Sequence, residues 1–142
     1  MEMLIRLHGA NKISAEFDSY QVVTDQPVEA GGTGSAPTPF QLFLASLGTC
    51  AGVYVGAFCE QRGIPTEEIT IHQTMEFTES ADGKQRLAKV GLEIRVPPQF
   101  PEKYHNALVK SAELCTVKKT LANPPDFAIS TRVFSNEEKR AQ

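Results

Sequence analysis

The sequence lacks a basic run, an acidic tail and a dense cysteine framework, and each absence removes a class of function. Its formal charge of -3 comes from interspersed acids and bases, so nothing concentrates positive potential against nucleic acid phosphates. The three histidines, His8, His72 and His105, are scattered and no two cysteines have zinc-finger spacing, so no metal or other cofactor is expected. Gly31 to Ser35 precedes a helix, but it has neither the Lys-Ser/Thr of a phosphate-binding loop nor the dinucleotide glycine pattern, and a tight turn explains it. No nucleophile elbow surrounds Ser19, Ser35 or Ser46, which sets serine hydrolysis aside.

A secretory signal is also missing: Met1 to Arg6 has neither a basic start nor a small-residue cleavage site, so the chain reads as cytoplasmic. In that reducing compartment three cysteines are catalytic or buried rather than cross-linked. Charge is absent from Ala30 to Cys59, long enough that a membrane span must be weighed. Its first third is the Gly/Pro loop, and Gly48, Thr49, Gly52 and Gly56 dilute the rest. A helix buried all round within a soluble protein, with no membrane partner, is the expectation.

What is present suits one domain over residues 1–142, since 41% of the chain is hydrophobic and can supply a core. Met3 to Leu7, Ile13 to Phe17 and Tyr20 to Thr24 carry strand signals and suggest an antiparallel meander. Thr38-Pro39 opens a helix that runs to about Arg62, where Gly63 and Pro65 stop it. Ile69 to Phe77 and Val90 to Val96 alternate with period two around Ser80-Ala81-Asp82-Gly83, which predicts a long hairpin. Tyr104, Leu108, Ala112 and Cys115 recur at helical spacing and predict one second helix ending at Asn123-Pro124-Pro125. Phe127, Ile129, Thr131 and Val133 predict a last strand, with Asn136 to Gln142 a polar tail. The order is that of an α+β fold with antiparallel sheets.

On an ideal helix Phe43, Ser46, Leu47, Val53, Tyr54 and Ala57 share a face with Cys50. Gly48, Gly52 and Gly56 lie opposite with Cys59, and such spacing predicts a close contact with a second helix, within the chain or across a dimer. Cys50 and Cys59 are half a turn out of phase and about 13 Å apart along the axis, so they cannot pair. Cys59 reads as a small buried hydrophobe. Cys115 has Lys118 and Lys119 at i+3 and i+4, which either favour its thiolate or are ordinary surface lysines. Spacing alone leaves open whether Cys50 and Cys115 meet.

The run Gly31-Gly32-Thr33-Gly34, Pro39, Gln41-Leu42 and Ala45-Ser46-Leu47-Gly48-Thr49-Cys50, followed by Cys115-Thr116-Val117-Lys118-Lys119-Thr120-Leu121, resembles the OsmC/Ohr family over roughly Tyr20 to Val133. That resemblance implies an intertwined homodimer with long central helices between sheets. It also implies a hydroperoxide substrate, reduced by Cys50 as the peroxidatic thiol and Cys115 as the resolving one. A dithiol, from a lipoyl protein or a thioredoxin-like partner, would reset the pair. The sequence departs from the hydroperoxide-reducing branch in three places. Phe40 stands where a glutamate is usual, with Gln41 beside it as a candidate positioning group. Arg6, the only arginine before the loop, is the candidate activating cation, with Lys12 the other nearby positive charge. Thr116 replaces the proline that often follows the second cysteine. A rival expectation is a module that binds an apolar ligand in a cleft lined by Phe40, Phe43, Leu47, Tyr54 and Phe58.

Overall fold

The computed structural model describes residues 1–133, so the expected polar tail lies outside the described residues. Three strands form the expected meander: β1 (Leu4–Leu7), β2 (Ile13–Phe17) and β3 (Tyr20–Thr24), paired antiparallel in the order β1-β2-β3. On β1 the apolar residues stay open, with Ile5 53% and Leu7 80% exposed, while Ile13, Ala15 and Phe17 of β2 are half-buried.

A 3-10 turn at Val28–Ala30 and the glycine loop lead to α1 (Pro39–Glu60). Thr38 caps this helix: the Gln41 amide donates to Thr38 Oγ1 at 3.2 Å, and the Thr38 amide donates to Gln41 Oε1 at 2.9 Å. This reciprocal box satisfies two amides that the first turn would leave orphaned, and Pro39 suits a position whose N–H has no partner. At the other end the Arg62 guanidinium donates to the Phe58 carbonyl at 3.0 Å and lies 3.8 Å over the Phe58 ring.

The hairpin follows as β4 (Thr70–Glu79) and β5 (Gln85–Arg95), in register from Thr70 opposite Arg95 to Glu79 opposite Gln85, with a bulge at Glu76/Phe77. After a 3-10 turn at Glu102–Tyr104 come α2 (His105–Ala112) and α3 (Thr116–Ala122). The core forms where α1, α2 and the hairpin meet, around Val55, Phe58, Cys59, Phe100 and Leu108. Burying one such side chain contributes about 1.5–3 kcal/mol. None of the meander belongs to this cluster.

Four expectations are corrected. The single second helix is two, broken at Glu113–Cys115, because Cys115 leaves helical geometry (φ −43°, ψ 118°) and caps α3. The last strand is absent from the described backbone: Phe127 is 85% and Ile129 94% exposed, and no strand among the described residues pairs with them. A strand without a partner leaves its ladder groups unsatisfied, so alternation alone cannot form one. Within the chain, Gly48 and Gly52 of α1 meet β4 and not a second helix, and Gly56 is open. A Cβ on Gly48 would fall 2.5 Å from Gln73 Oε1, and the open position lets Gln73 Nε2 donate to the Leu44 carbonyl at 2.9 Å.

Lastly, α1 is covered on one side only. It is long and apolar enough to cross a membrane by length and composition. Within the chain Leu44, Leu47, Ala51 and Val55 face inward, whereas Ala45, Thr49, Val53 and Ala57 form an open stripe.

Candidate active site

The break between α2 and α3 builds the site. Cys115 is 1% exposed, and its sulfur takes the N-cap role, accepting from the Lys118 amide at 3.4 Å, with the Leu47 carbonyl 3.9 Å away. The Thr116 and Val117 amides, free at the first turn of α3, are left to point at α1. Cys50, half-buried on α1, receives them.

The two thiols are pushed apart. The Val117 amide, the Cys115 thiol and the Thr116 amide all hydrogen-bond the Cys50 sulfur and hold it below the usual thiol range, outweighing partial burial. Burial, and then the neighbouring Cys50, push the Cys115 thiol up. Negative charge at Cys50 therefore disfavours a second charge at Cys115, and the pair is arranged as one thiolate beside one thiol. Lys118 enters through its backbone N–H, at the end of the chain of amides, in place of the side-chain charge that its i+3 spacing suggested. All three cysteines are free thiols. Cys59 is fully buried in the core, where burial raises its pKa in spite of Arg62 nearby.

The structure brings Cys50 and Cys115 together, and Gln41 and Arg6 each have a partner of their own. The Gln41 side chain is engaged in the α1 cap. The Arg6 guanidinium pairs with Glu16 across β1 and β2 at 3.1 Å. The groups that lower the Cys50 pKa are amides and a thiol, which carry no net charge.

The aromatic cleft does not form as a unit: Phe40 stacks on Phe43, Phe58 packs edge-on to Tyr104 in the core, and Tyr54 reaches toward α3. Of those residues Leu47 alone lines the apolar cavity beside Cys115. This space of about 250 Å³ is lined further by Leu87, Val90 and Leu92 of β5 and by Lys118 and Leu121 of α3.

Asp25, fully buried, was missed in the sequence. It accepts from the Gln26, Thr33 and Ser35 amides and from both hydroxyls of Thr33 and Ser35, at 2.5 Å and 2.8 Å for the hydroxyls. These bonds, the Thr33 hydroxyl first, hold its carboxyl far below the carboxylate range. Asp25 thereby ties the glycine loop to the end of β3 and sets the entry of α1. Gly32 is required there, since a Cβ would overlap the Gln26 carbonyl.

A family model described as OsmC-like protein matches residues 32–130. No curated protein matches the chain. Among solved structures, an osmotic stress induced and detoxification response protein of Psychrobacter arcticus 273-4 superposes with a TM-score of 0.69 at 23% identity, covering 83% of this chain and 85% of that one. An OsmC-like protein of Mycoplasma pneumoniae gives 0.68 at 17% identity, with 87% of both chains covered. The organic hydroperoxide resistance protein OhrB of Bacillus subtilis gives 0.56 at 21% identity, covering 86% and 90%. At such identities the likeness is one of fold. The family match takes in both cysteine motifs and the hairpin between them, and the chain belongs to the OsmC-like protein family.

Proposed function

We propose that this protein is a thiol-dependent peroxidase that reduces organic hydroperoxides through Cys50 and Cys115, working as one cytoplasmic domain over residues 1–142. One observation carries the reading: Cys115, buried as the N-cap of α3, sits beside Cys50 of α1, at a helix start whose amides favour the Cys50 thiolate. Two titratable groups whose environments push them apart mark an assignment of roles. Cys50 is the attacking thiolate and Cys115 the resolving thiol.

In the first step the Cys50 thiolate attacks the peroxide oxygen distal to the organic group. A sulfur–oxygen bond forms, the O–O bond breaks, and the alkoxide leaves and takes a proton to become the alcohol. The sulfenic acid then condenses with the Cys115 thiol, giving a disulfide and water. A dithiol, from a lipoyl or thioredoxin-like protein, returns two electrons and two protons and leaves as its own disulfide. The apolar cavity of Leu47, Leu87, Val90 and Leu92 beside Cys115 favours a peroxide with a hydrocarbon tail over hydrogen peroxide. OhrB of Bacillus subtilis and a protein of Elizabethkingia anophelis with a similar fold are organic hydroperoxide resistance proteins, which supports this class.

The active unit is a homodimer. Ala45, Val53 and Ala57 on α1, and Phe127 and Ile129 beyond α3, are apolar side chains that the described residues leave exposed. Sedimentation is expected to give twice the chain mass, and a monomer at micromolar concentration would contradict it.

The test of activity is consumption of cumene hydroperoxide and hydrogen peroxide with excess dihydrolipoamide. Multiple turnovers, faster with the organic peroxide, are expected. The same cavity supports a second reading, a module that binds an apolar ligand without turnover. Saturable binding of such a ligand with no dithiol consumed would replace the first reading by the second.

A further inference from the structure

The cysteine pair is not the only link between α1 and the start of α3. The hydroxyl groups of Tyr54 and Thr116, 62 positions apart in sequence, lie 2.9 Å from one another. Tyr54 follows Cys50 by one helical turn on the same face of α1, and Thr116 follows Cys115 as the first residue of α3. Two rungs therefore join the same two elements side by side, one of sulfur and one of hydroxyl. Thr116 also supplies one of the amides that reach the Cys50 sulfur.

The segment thus held has little else to fix it. α3 has seven residues, buries none of them, and is connected to α2 through the break at Glu113–Cys115. A helix this short is marginal by itself and takes its place from tertiary contacts. A hydroxyl bridge at its first residue bears directly on where the Cys115 sulfur and the amides sit, because both belong to the same turn.

We propose that Tyr54 and Thr116 are positioning residues, whose hydroxyl bridge holds the first turn of α3 against α1 so that Cys115 stays in reach of oxidised Cys50. The inference rests on the two-cysteine reading above. Its chemical consequence is a competition. A Cys50 sulfenic acid either condenses with Cys115, releasing water, or meets a second hydroperoxide, which oxidises it to sulfinic acid and leaves as the alcohol. Loosening the bridge leaves the first oxidation possible and slows condensation, so the partition moves toward sulfinic acid.

The experiment treats reduced wild type, Tyr54→Phe, Thr116→Val and Thr116→Ser with a series of cumene hydroperoxide concentrations, and maps the products by mass. Losing one hydrogen bond corresponds to a condensation rate lower by roughly three- to tenfold. Tyr54→Phe and Thr116→Val are each expected to need that much less peroxide for half conversion to sulfinic acid. Their double mutant should be no worse than either alone, since they remove the same bond. Thr116→Ser keeps the hydroxyl and should retain the wild-type partition. The pH profile for alkylation of Cys50 in the reduced protein should move upward in the first two variants.

A role confined to stability would lower the melting temperature with partition and pH profile unmoved, and that result would overturn the inference. A wild type that forms the Cys50–Cys115 disulfide, with both hydroxyl-deleted variants matching it, would overturn the bridge alone. Absence of that disulfide in the wild type would overturn the two-cysteine reading and the inference with it.

Discussion

The middle and the end of α1 carry the same residue type in opposite settings. Cys50 faces the opened first turn of α3, where amides of Val117 and Thr116 hydrogen-bond its sulfur. Cys59, in the last turn, is enclosed by Val55, Phe58, Phe100 and Leu108, and its nearest cation does not offset burial. One thiol is thus lowered and the other raised on a single helix. What separates them is the distant segment that each meets: unsatisfied backbone donors in one case and hydrocarbon in the other. Reactivity follows from that difference, because the thiolate is the nucleophile.

Substitution breaks the comparison most directly. Cys50→Ser is expected to lower dithiol-dependent peroxide consumption by about a thousandfold or more, whereas Cys59→Ser leaves the rate near wild type. Equal losses in the two variants, measured in one coupled assay, would remove the distinction. Next in size is Cys115→Ser, which should consume one equivalent of peroxide per chain and stop. A dimedone adduct on Cys50 then reports the stranded sulfenic acid, and continued turnover without it would show that Cys115 resolves nothing.

The comparison is sharpened by pH. Since amides lower the Cys50 pKa, its alkylation should rise to a plateau at lower pH than that of a free thiol, while Cys59 stays unreactive in the native protein. Mass mapping after a short iodoacetamide pulse at each pH checks both, and coincident profiles would contradict the account. The smallest effect is on stability. Cys59→Ser places a hydroxyl in an apolar core and should cost about 1–3 kcal/mol by denaturant unfolding. Cys59→Ala, which buries no polar atom, should separate that penalty from simple loss of packing.

Much of this arrangement was legible in the sequence because it depends on local signals. Thr38-Pro39 marked the start of α1, and the alternation around Asp82-Gly83 marked the hairpin, since helix starts and turns are decided by neighbours a few residues away. The break at Cys115 was hidden for the same reason. Tyr104, Leu108, Ala112 and Cys115 keep helical spacing, and a cysteine is not among the residues that ordinarily announce an N-cap. The apparent charge of Lys118 drew attention where its backbone N–H acts.

Asp25 shows another limit. A lone carboxylate at the end of a strand gives no sign of which hydroxyls and amides will close around it, although Thr33 and Ser35 in a glycine-rich loop are the right donors. Gln41 and Arg6 drew notice by position, but the first completes a helix cap and the second pairs with Glu16. Phe127 to Val133 carries the right alternation and finds no partner strand among the described residues, and pairing is a tertiary property that no single segment encodes.

The central claim is that Cys50 and Cys115 form one redox pair from which Cys59 is excluded. Intact mass and peptide mapping of the reduced protein, after one equivalent of cumene hydroperoxide, tests it most directly. The account predicts loss of two hydrogens, mapped to a Cys50–Cys115 disulfide, with Cys59 still alkylatable after unfolding. An unchanged mass, or oxidation that falls on Cys59, would contradict it.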